Sequence, residues 1–371
     1  MEVQNMKKNI YDNFYHHNRN YGCRHHEVIY KGYRTLVLEN EKLRISILVE
    51  KGTDIIELLY KPKDIDFMWR SPADYGGFDK NPFSKEHETG AFLDVYEGGW
   101  QELLPSITAP TNYKGMGLGF HGEILLLPWD YQIVTDDPYE VKVKLFVRMR
   151  RAPLYVVKYI TIKSGSPVLD FEEEIVNEGD EEFKFMWGHH PAIGKPFLDE
   201  NCVIDLPNGA TGQIYQVDFS GNSPFAPDTE FEWPHIKDMD GRTVDLSRVM
   251  SPDRKTAFNM YIKDIKEGWY GITNLDRQVG FGMKWDIEIF RYMLIWSVYR
   301  GFYNYPFYGR TYNIALELYS AIPDSLDEAI KLDRALTLAP GEKLGTRFKA
   351  IVYESKKRIK GFDQDNGPIT D

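Results

Sequence analysis

An all-β sandwich is the architecture predicted for this 371-residue chain, and three observations predict it. Apolar and charged residues alternate in short runs, most cleanly in Val141-Lys142-Val143-Lys144-Leu145, and a period of two marks a half-buried strand. Turn-forming clusters punctuate the runs: Ser164-Gly165-Ser166-Pro167, Asn177-Glu178-Gly179-Asp180 and Pro207-Asn208-Gly209. Helical periodicity is scarce. Its best window is 325–336, where Leu326, Ala329, Ile330 and Leu332 fall near one face behind Asp324 or Ser325 as cap. Many short strands with so little helix point to a large antiparallel β-sandwich carrying few short helices.

Taken in order, residues 1–27 are polar and aromatic and read as an N-terminal extension. Strand patterns begin at Val28 and include 33–38, 43–49, 141–149, 155–162, 168–176 and 183–187. No internal repeat or boundary interrupts them, so 28–355 reads as a single domain. Residues 356–371 are charged and then Gly- and Asp-containing, a composition expected to leave a flexible tail.

Composition narrows the function. The chain is 42% hydrophobic and 27% charged, with 24 Tyr, 21 Phe and 8 Trp. Aromatic residues pack well on a pleated surface, and their faces also stack on the C–H faces of sugars. A net charge of −11 and a pI near 5.4 disfavour nucleic acid and anionic lipid as partners. Cys23 and Cys202 could form one bridge at most, which suits a reducing cytoplasm. Neither a signal peptide nor a run of roughly 20 apolar residues is seen. The expectation is a soluble cytoplasmic protein, monomer or homodimer. No phosphate loop, nucleophile elbow or Cys-pair metal motif is found, and no cofactor or metal is expected.

Three ionisable positions stand out. In Gly188-His189-His190-Pro191, a strand would send neighbouring side chains to opposite faces, so only one histidine can face a given pocket; both could equally be half-buried at a strand end. His121 lies between Phe120 and Gly122, where glycine permits close approach of a ligand, although a loop histidine can be purely structural. Glu317 interrupts Ile314-Ala315-Leu316-Glu317-Leu318-Tyr319. A carboxylate buried there must be paired, raised in pKa, or turned to a wet cleft; outward solvation is the alternative.

The order of these segments resembles the aldose 1-epimerase (galactose mutarotase-like) family from about Val28 to Glu354. The resemblance rests on Leu48–Gly52, Met68-Trp69, His121-Gly122 with Trp129, Val176-Asn177-Glu178, His190-Pro191, Leu294-Ile295-Trp296, 314–318 and Pro340-Gly341-Glu342. It implies a galactose mutarotase-like supersandwich that interconverts the anomers of a free sugar. By the resemblance, His190 is the general acid and Glu317 the general base. His121 binds the sugar and helps polarise its ring oxygen. Trp100 and Trp296 are stacking surfaces and Glu102 a hydroxyl partner. For a sugar phosphate, Arg70 and Arg291 are the candidate cations. Many relatives carry an Arg shortly after the His-Gly pair, where this chain has Glu123 and then Ile124-Leu125-Leu126. The segments 100–105 and 199–249 also depart from the galactose-acting members.

Competing expectations are a non-catalytic carbohydrate-binding protein on the same scaffold and a metal-dependent sugar isomerase using His121, Glu123 and His189 or His190. A carboxylate-pair glycosidase at Asp94, Glu97 and Glu102 ranks last.

Overall fold

Period-two patterning fixes which side chains meet, and the computed structural model, which describes residues 19–72 and 92–370, shows two large sheets built on it. The twelve-stranded sheet runs in spatial order Arg24–Tyr30, Tyr33–Glu39, Leu43–Leu48, Asp54–Tyr60, Trp100–Leu103, Gly188–Ile193, Tyr312–Tyr319, Tyr292–Tyr299, Thr256–Lys263, Thr211–Ile214 and Glu230–Glu232, with Ile65–Asp66 beside Asp54–Tyr60. The eight-stranded sheet runs Cys202–Asp205, Trp269–Asn274, Val279–Trp285, Lys343–Tyr353, Val168–Asn177, Leu154–Lys163, Glu140–Arg148 and Asp130–Asp136. Central neighbours pair antiparallel in both.

One face of each sheet forms the core between them. In the Tyr312–Tyr319 strand every residue is buried, but on two different sides. Ile314, Leu316 and Leu318 belong to the core between the sheets, whereas Ala315 and Tyr319 join a second cluster with Trp296, Leu294 and Tyr96. Glu317 shares the parity of Ala315 and Tyr319, so the pleat turns it away from the inter-sheet core. That second cluster covers the outer face of the large sheet, and the candidate site is set into it.

Polar side chains clip the layers together. Asn40 is fully buried at the turn between Tyr33–Glu39 and Leu43–Leu48. Its Nδ2 donates to the carbonyls of Lys163 and Ser166 at 2.6 and 2.9 Å, and its Oδ1 accepts from the Lys42 and Leu43 amides at 2.8 and 2.7 Å. The first two bonds reach the turn that follows Leu154–Lys163 in the other sheet. Asn40→Ala should therefore lower the unfolding free energy by about 2–3 kcal/mol, because buried carbonyls and amides lose their partners. Urea titration checks this; a loss below about 0.5 kcal/mol would remove the clip from the account.

The ends of the chain differ from expectation. Residues 1–18 of the expected extension lie outside the described residues, and its last part is the edge strand Arg24–Tyr30, paired throughout with Tyr33–Glu39. Residues 356–370, expected as a tail, include a paired and partly buried hairpin. Ile359–Phe362 pairs with Pro368–Thr370, and Ile359 and Phe362 bury with Trp269 and Tyr353; two apolar side chains gave this charged segment a place to dock. The helix expected over 325–336 spans only Leu326–Lys331. Asp333, at φ +54°, turns the chain towards Leu336–Leu338, which pairs with Phe183–Phe185. Cys23 and Cys202 are free and buried. No described helix is long and apolar enough to cross a membrane.

Candidate active site

Strand parity divides the two adjacent histidines. His190 lies opposite Gln101 and His189 opposite Glu102 in the antiparallel register, and directly opposed residues share a face. His189 therefore points into the inter-sheet core, where its Nε2 meets Glu173 Oε2 at 3.1 Å. His190 points the other way, and its Nε2 lies 3.4 Å from Glu317 Oε1. The two side chains come from neighbouring strands and meet at the floor of a cavity of about 400 Å³.

The cavity wall is largely aromatic. Phe92, Tyr96, Phe120, Tyr215, Phe219, Trp296, Phe302, Phe307 and Tyr319 line it together with Thr108, His121, His190, Asn259 and Glu317. Their rings touch in series: His121 to His190 at 5.2 Å, His190 to Trp296 at 5.6 Å, and Trp296 to Phe307 at 5.7 Å between centroids. This is the mixture a small-molecule site uses, apolar walls with a few convergent polar groups. Among the described residues, no Lys or Arg lines it.

His121 is held by backbone. It adopts φ +66°, its amide donates to the Thr108 carbonyl at 3.0 Å, and its Nδ1 meets the Ile107 carbonyl. A carbonyl only accepts, so Nδ1 carries the proton and Nε2 is left as an acceptor. Gly122 follows at φ +80°, and a Cβ there would come within 2.4 Å of the Leu104 carbonyl oxygen. Glycine is thus required to present His121. Burial, and then the neighbouring His190, hold His121 well below the ordinary histidine value.

Burial also controls the pair. It pushes Glu317 well above the usual carboxylate range, with Tyr319 opposing and Asp324 adding to the shift. It lowers His190 to about 4. Burial thus favours the neutral form of both members of the pair, the carboxylic acid at Glu317 and the imidazole at His190. Around them, the Tyr319 hydroxyl lies 2.9 Å from Glu317 Oε2 and the Tyr96 hydroxyl 3.4 Å from His190 Nδ1.

Of the positions singled out from sequence, the structure brings His121, His190, Trp296 and Glu317 together in this cavity. It does not bring Trp100, Glu102 or Arg70 there. Trp100 and Glu102 have the parity of His189, so they face the second sheet: Trp100 packs on Phe171 and Phe348, and Glu102 pairs with Lys158 at 2.7 Å. Arg70 pairs with Asp66 at 3.0 Å, and Arg291 Nε donates to the Glu288 carbonyl. Glu123 accepts from the Arg151 and Ala152 amides rather than joining His121, and no group of three potential metal ligands occurs among the described residues. Asp94, Glu97 and Glu102 do not form one site either, since Asp94 meets Tyr305 and Glu97 meets Lys51.

Tyr319, Tyr96, Thr108, Tyr215 and Asn259 were not anticipated. Tyr319 was within reach, because residues two apart on a strand share a face. Phe302, Pro306 and Phe307, from the segment that follows Tyr299, also line the cavity.

The two-sheet fold is similar to that of solved galactose mutarotase-like proteins. A candidate aldose 1-epimerase from Klebsiella pneumoniae superposes with a TM-score of 0.68 at 14% identity, over 88% of this chain and 80% of that one. A galactose mutarotase-like protein from Clostridium acetobutylicum gives 0.59 at 13% identity over 90% and 99%, and one from Lactobacillus casei gives 0.55 at 15% over 86% and 100%. The chain itself belongs to the family described as a domain of unknown function, DUF4432, whose model matches residues 30–222, just over half its length. No curated protein matches it.

Proposed function

We propose that this protein is an aldose 1-epimerase acting on a neutral free sugar, with His190 and Glu317 as the proton-transfer pair. The observation that carries the proposal is their convergence, 3.4 Å apart, at the floor of an aromatic cavity. Anomer exchange requires a proton to leave the C1 hydroxyl and another to reach the ring oxygen. Those two oxygens hang on the same carbon, so two groups at hydrogen-bond separation can serve both at once.

Resting protonation sets the direction. Neutral His190 accepts the C1 hydroxyl proton, C1=O forms, the C1–O5 bond breaks, and protonated Glu317 delivers its proton to O5. The pair is left as imidazolium and carboxylate, whose attraction offsets part of their desolvation. Rotation about C1–C2 and reversal of the same transfers close the ring on the other face. These roles run opposite to those implied by the family resemblance, and burial is the reason. His121, as an acceptor at Nε2, accepts a hydrogen bond from a sugar hydroxyl instead of polarising the ring oxygen. With no cation on the described cavity wall, a neutral sugar fits better than a phosphate.

The test is anomer exchange followed by saturation-transfer NMR over free hexoses, pentoses and hexose phosphates. Acceleration of at least one neutral sugar is expected. The rate should rise as His190 loses its proton near pH 4 and fall again where Glu317 ionises, above the usual carboxylate range. Binding of a sugar without acceleration would instead favour a non-catalytic carbohydrate-binding protein.

A further inference from the structure

A second buried carboxyl lies behind the cavity wall. Asp324 is 1% exposed, and the Tyr215 hydroxyl sits 3.0 Å from both of its oxygens. Its main chain is tied to the site, since the Thr108 amide donates to the Asp324 carbonyl at 3.2 Å. The Thr108 hydroxyl neighbours the Asp324 carboxyl and lies 3.0 Å from the Tyr319 hydroxyl, which in turn is 2.9 Å from Glu317 Oε2. Two hydroxyls therefore stand in line between two carboxyls.

Each hydroxyl has one proton to give, so the line can point only one way at a time. If Asp324 is ionised, Thr108 donates to it and Tyr319 donates to Thr108. The Tyr319 oxygen then needs a donor, which Glu317 supplies only by keeping its own proton. If Glu317 is ionised, Tyr319 and then Thr108 turn towards it and Asp324 loses the Thr108 donor. Burial raises Asp324 above the usual carboxylate range, as it does Glu317, but Asp324 has three hydroxyls opposing that rise, those of Tyr215, Thr108 and Tyr261, where Glu317 has the one of Tyr319; Tyr215, shared by both Asp324 oxygens, so biases the anion towards Asp324. We propose that Asp324 is a positioning residue which, through the Thr108–Tyr319 relay, keeps the proton on Glu317 and so makes Glu317 the donor in the reaction. Like-charge repulsion between the two carboxyls acts in the same direction.

Other groups face the same pair. His190 and Tyr96 flank Glu317, with Tyr96 feeling its charge, and His121 flanks His190. Tyr215 and Tyr261 flank Asp324, and Glu328 lies beyond Tyr215. None of these supplies a second path of hydroxyls from Asp324 to Glu317 among the described contacts.

The inference rests on the proposed reaction only in calling Glu317 a donor, and its test needs no activity. Carboxyl carbons labelled with 13C are titrated by NMR, with the Glu317 signal assigned by its loss in Glu317→Gln. Asp324→Asn, which keeps shape, should lower the ionisation midpoint of Glu317 by about one pH unit or more. Thr108→Val keeps the charge and breaks the relay, so Tyr319 is released to Glu317 and the midpoint should fall as well. Tyr215→Phe, a milder change should Asp324→Asn fold poorly, removes the bias and should move it the same way. A midpoint unmoved in Asp324→Asn overturns the proposal, and one moved there but unmoved in Thr108→Val overturns the relay. If the midpoints shift while no sugar exchanges, the relay stands and the epimerase reading falls.

Discussion

Glu317→Gln and His190→Ala should each slow anomer exchange by roughly 10²–10⁴-fold, the usual contribution of one positioned acid or base. Neither change should abolish sugar binding, because the aromatic walls remain. Glu317→Gln carries a second, opposite signature. Burial raises Glu317 above the unfolded carboxylate value, so the folded protein holds that proton more tightly than the unfolded chain. Its contribution to stability is full at acid pH and is lost as pH rises through the folded value. Glutamine holds no such proton. The variant should match wild type at low pH and become the more stable of the two as pH rises. His190 has the reverse dependence. Lowered to about 4, it remains neutral where the unfolded histidine gains a proton, so stability falls between about pH 6.5 and pH 4. His190→Ala should flatten that limb. Exchange rates and denaturation midpoints across pH read both effects; a Glu317→Gln enzyme with undiminished exchange would remove Glu317 from the mechanism.

Lys158→Met should cost about 3–5 kcal/mol of folding free energy, the price of leaving buried carboxylates without their cation. Lys158 is 5% exposed and sits between the sheets, 2.7 Å from Glu102 and 3.7 Å from Glu173, with Thr53 Oγ1 at 3.1 Å. Burial and then the Glu173 charge already push Glu102 above its usual range. Against its burial, His189 and Lys158 hold Glu173 below that range. Without Lys158 both carboxyls lose an attractive partner and their folded values rise. Sign follows from the same linkage: the deficit is largest at neutral and alkaline pH and shrinks on acidification as the carboxyls protonate. Urea unfolding at several pH values measures it. Adding Glu102→Gln should restore part of the loss, since one of the stranded charges is then gone. A small, pH-independent deficit would show that water reaches this cluster.

The same residues show how far the sequence could be read. Alternation in Val141–Leu145 and the turn clusters after Lys163 and Asn177 were local signals, and the strands stand where those signals placed them. The split between His189 and His190 was local too, because a strand cannot put neighbours on one face. Which histidine faced the cavity was not local. It depended on the second sheet lying against the His189 side, and the same packing removed Trp100 and Glu102 from the site although their types suited a sugar cleft. Arg70 was withdrawn by Asp66, a partner four residues away whose orientation only the fold sets.

Chemistry near Glu317 divides in the same way. The sequence by itself determined a β-sandwich, a carboxyl inside an apolar strand, and a histidine before proline at the end of another, because strand period and turn residues act over a few positions. Tertiary structure alone decided that this carboxyl meets His190 at 3.4 Å, that burial favours the neutral form of both, and that Asp324 and Tyr215 stand behind them. Those facts depend on desolvation and on contacts between residues far apart in the chain, such as Tyr215 and Asp324. Burial is a property of the whole packed molecule, and no short window of sequence contains it.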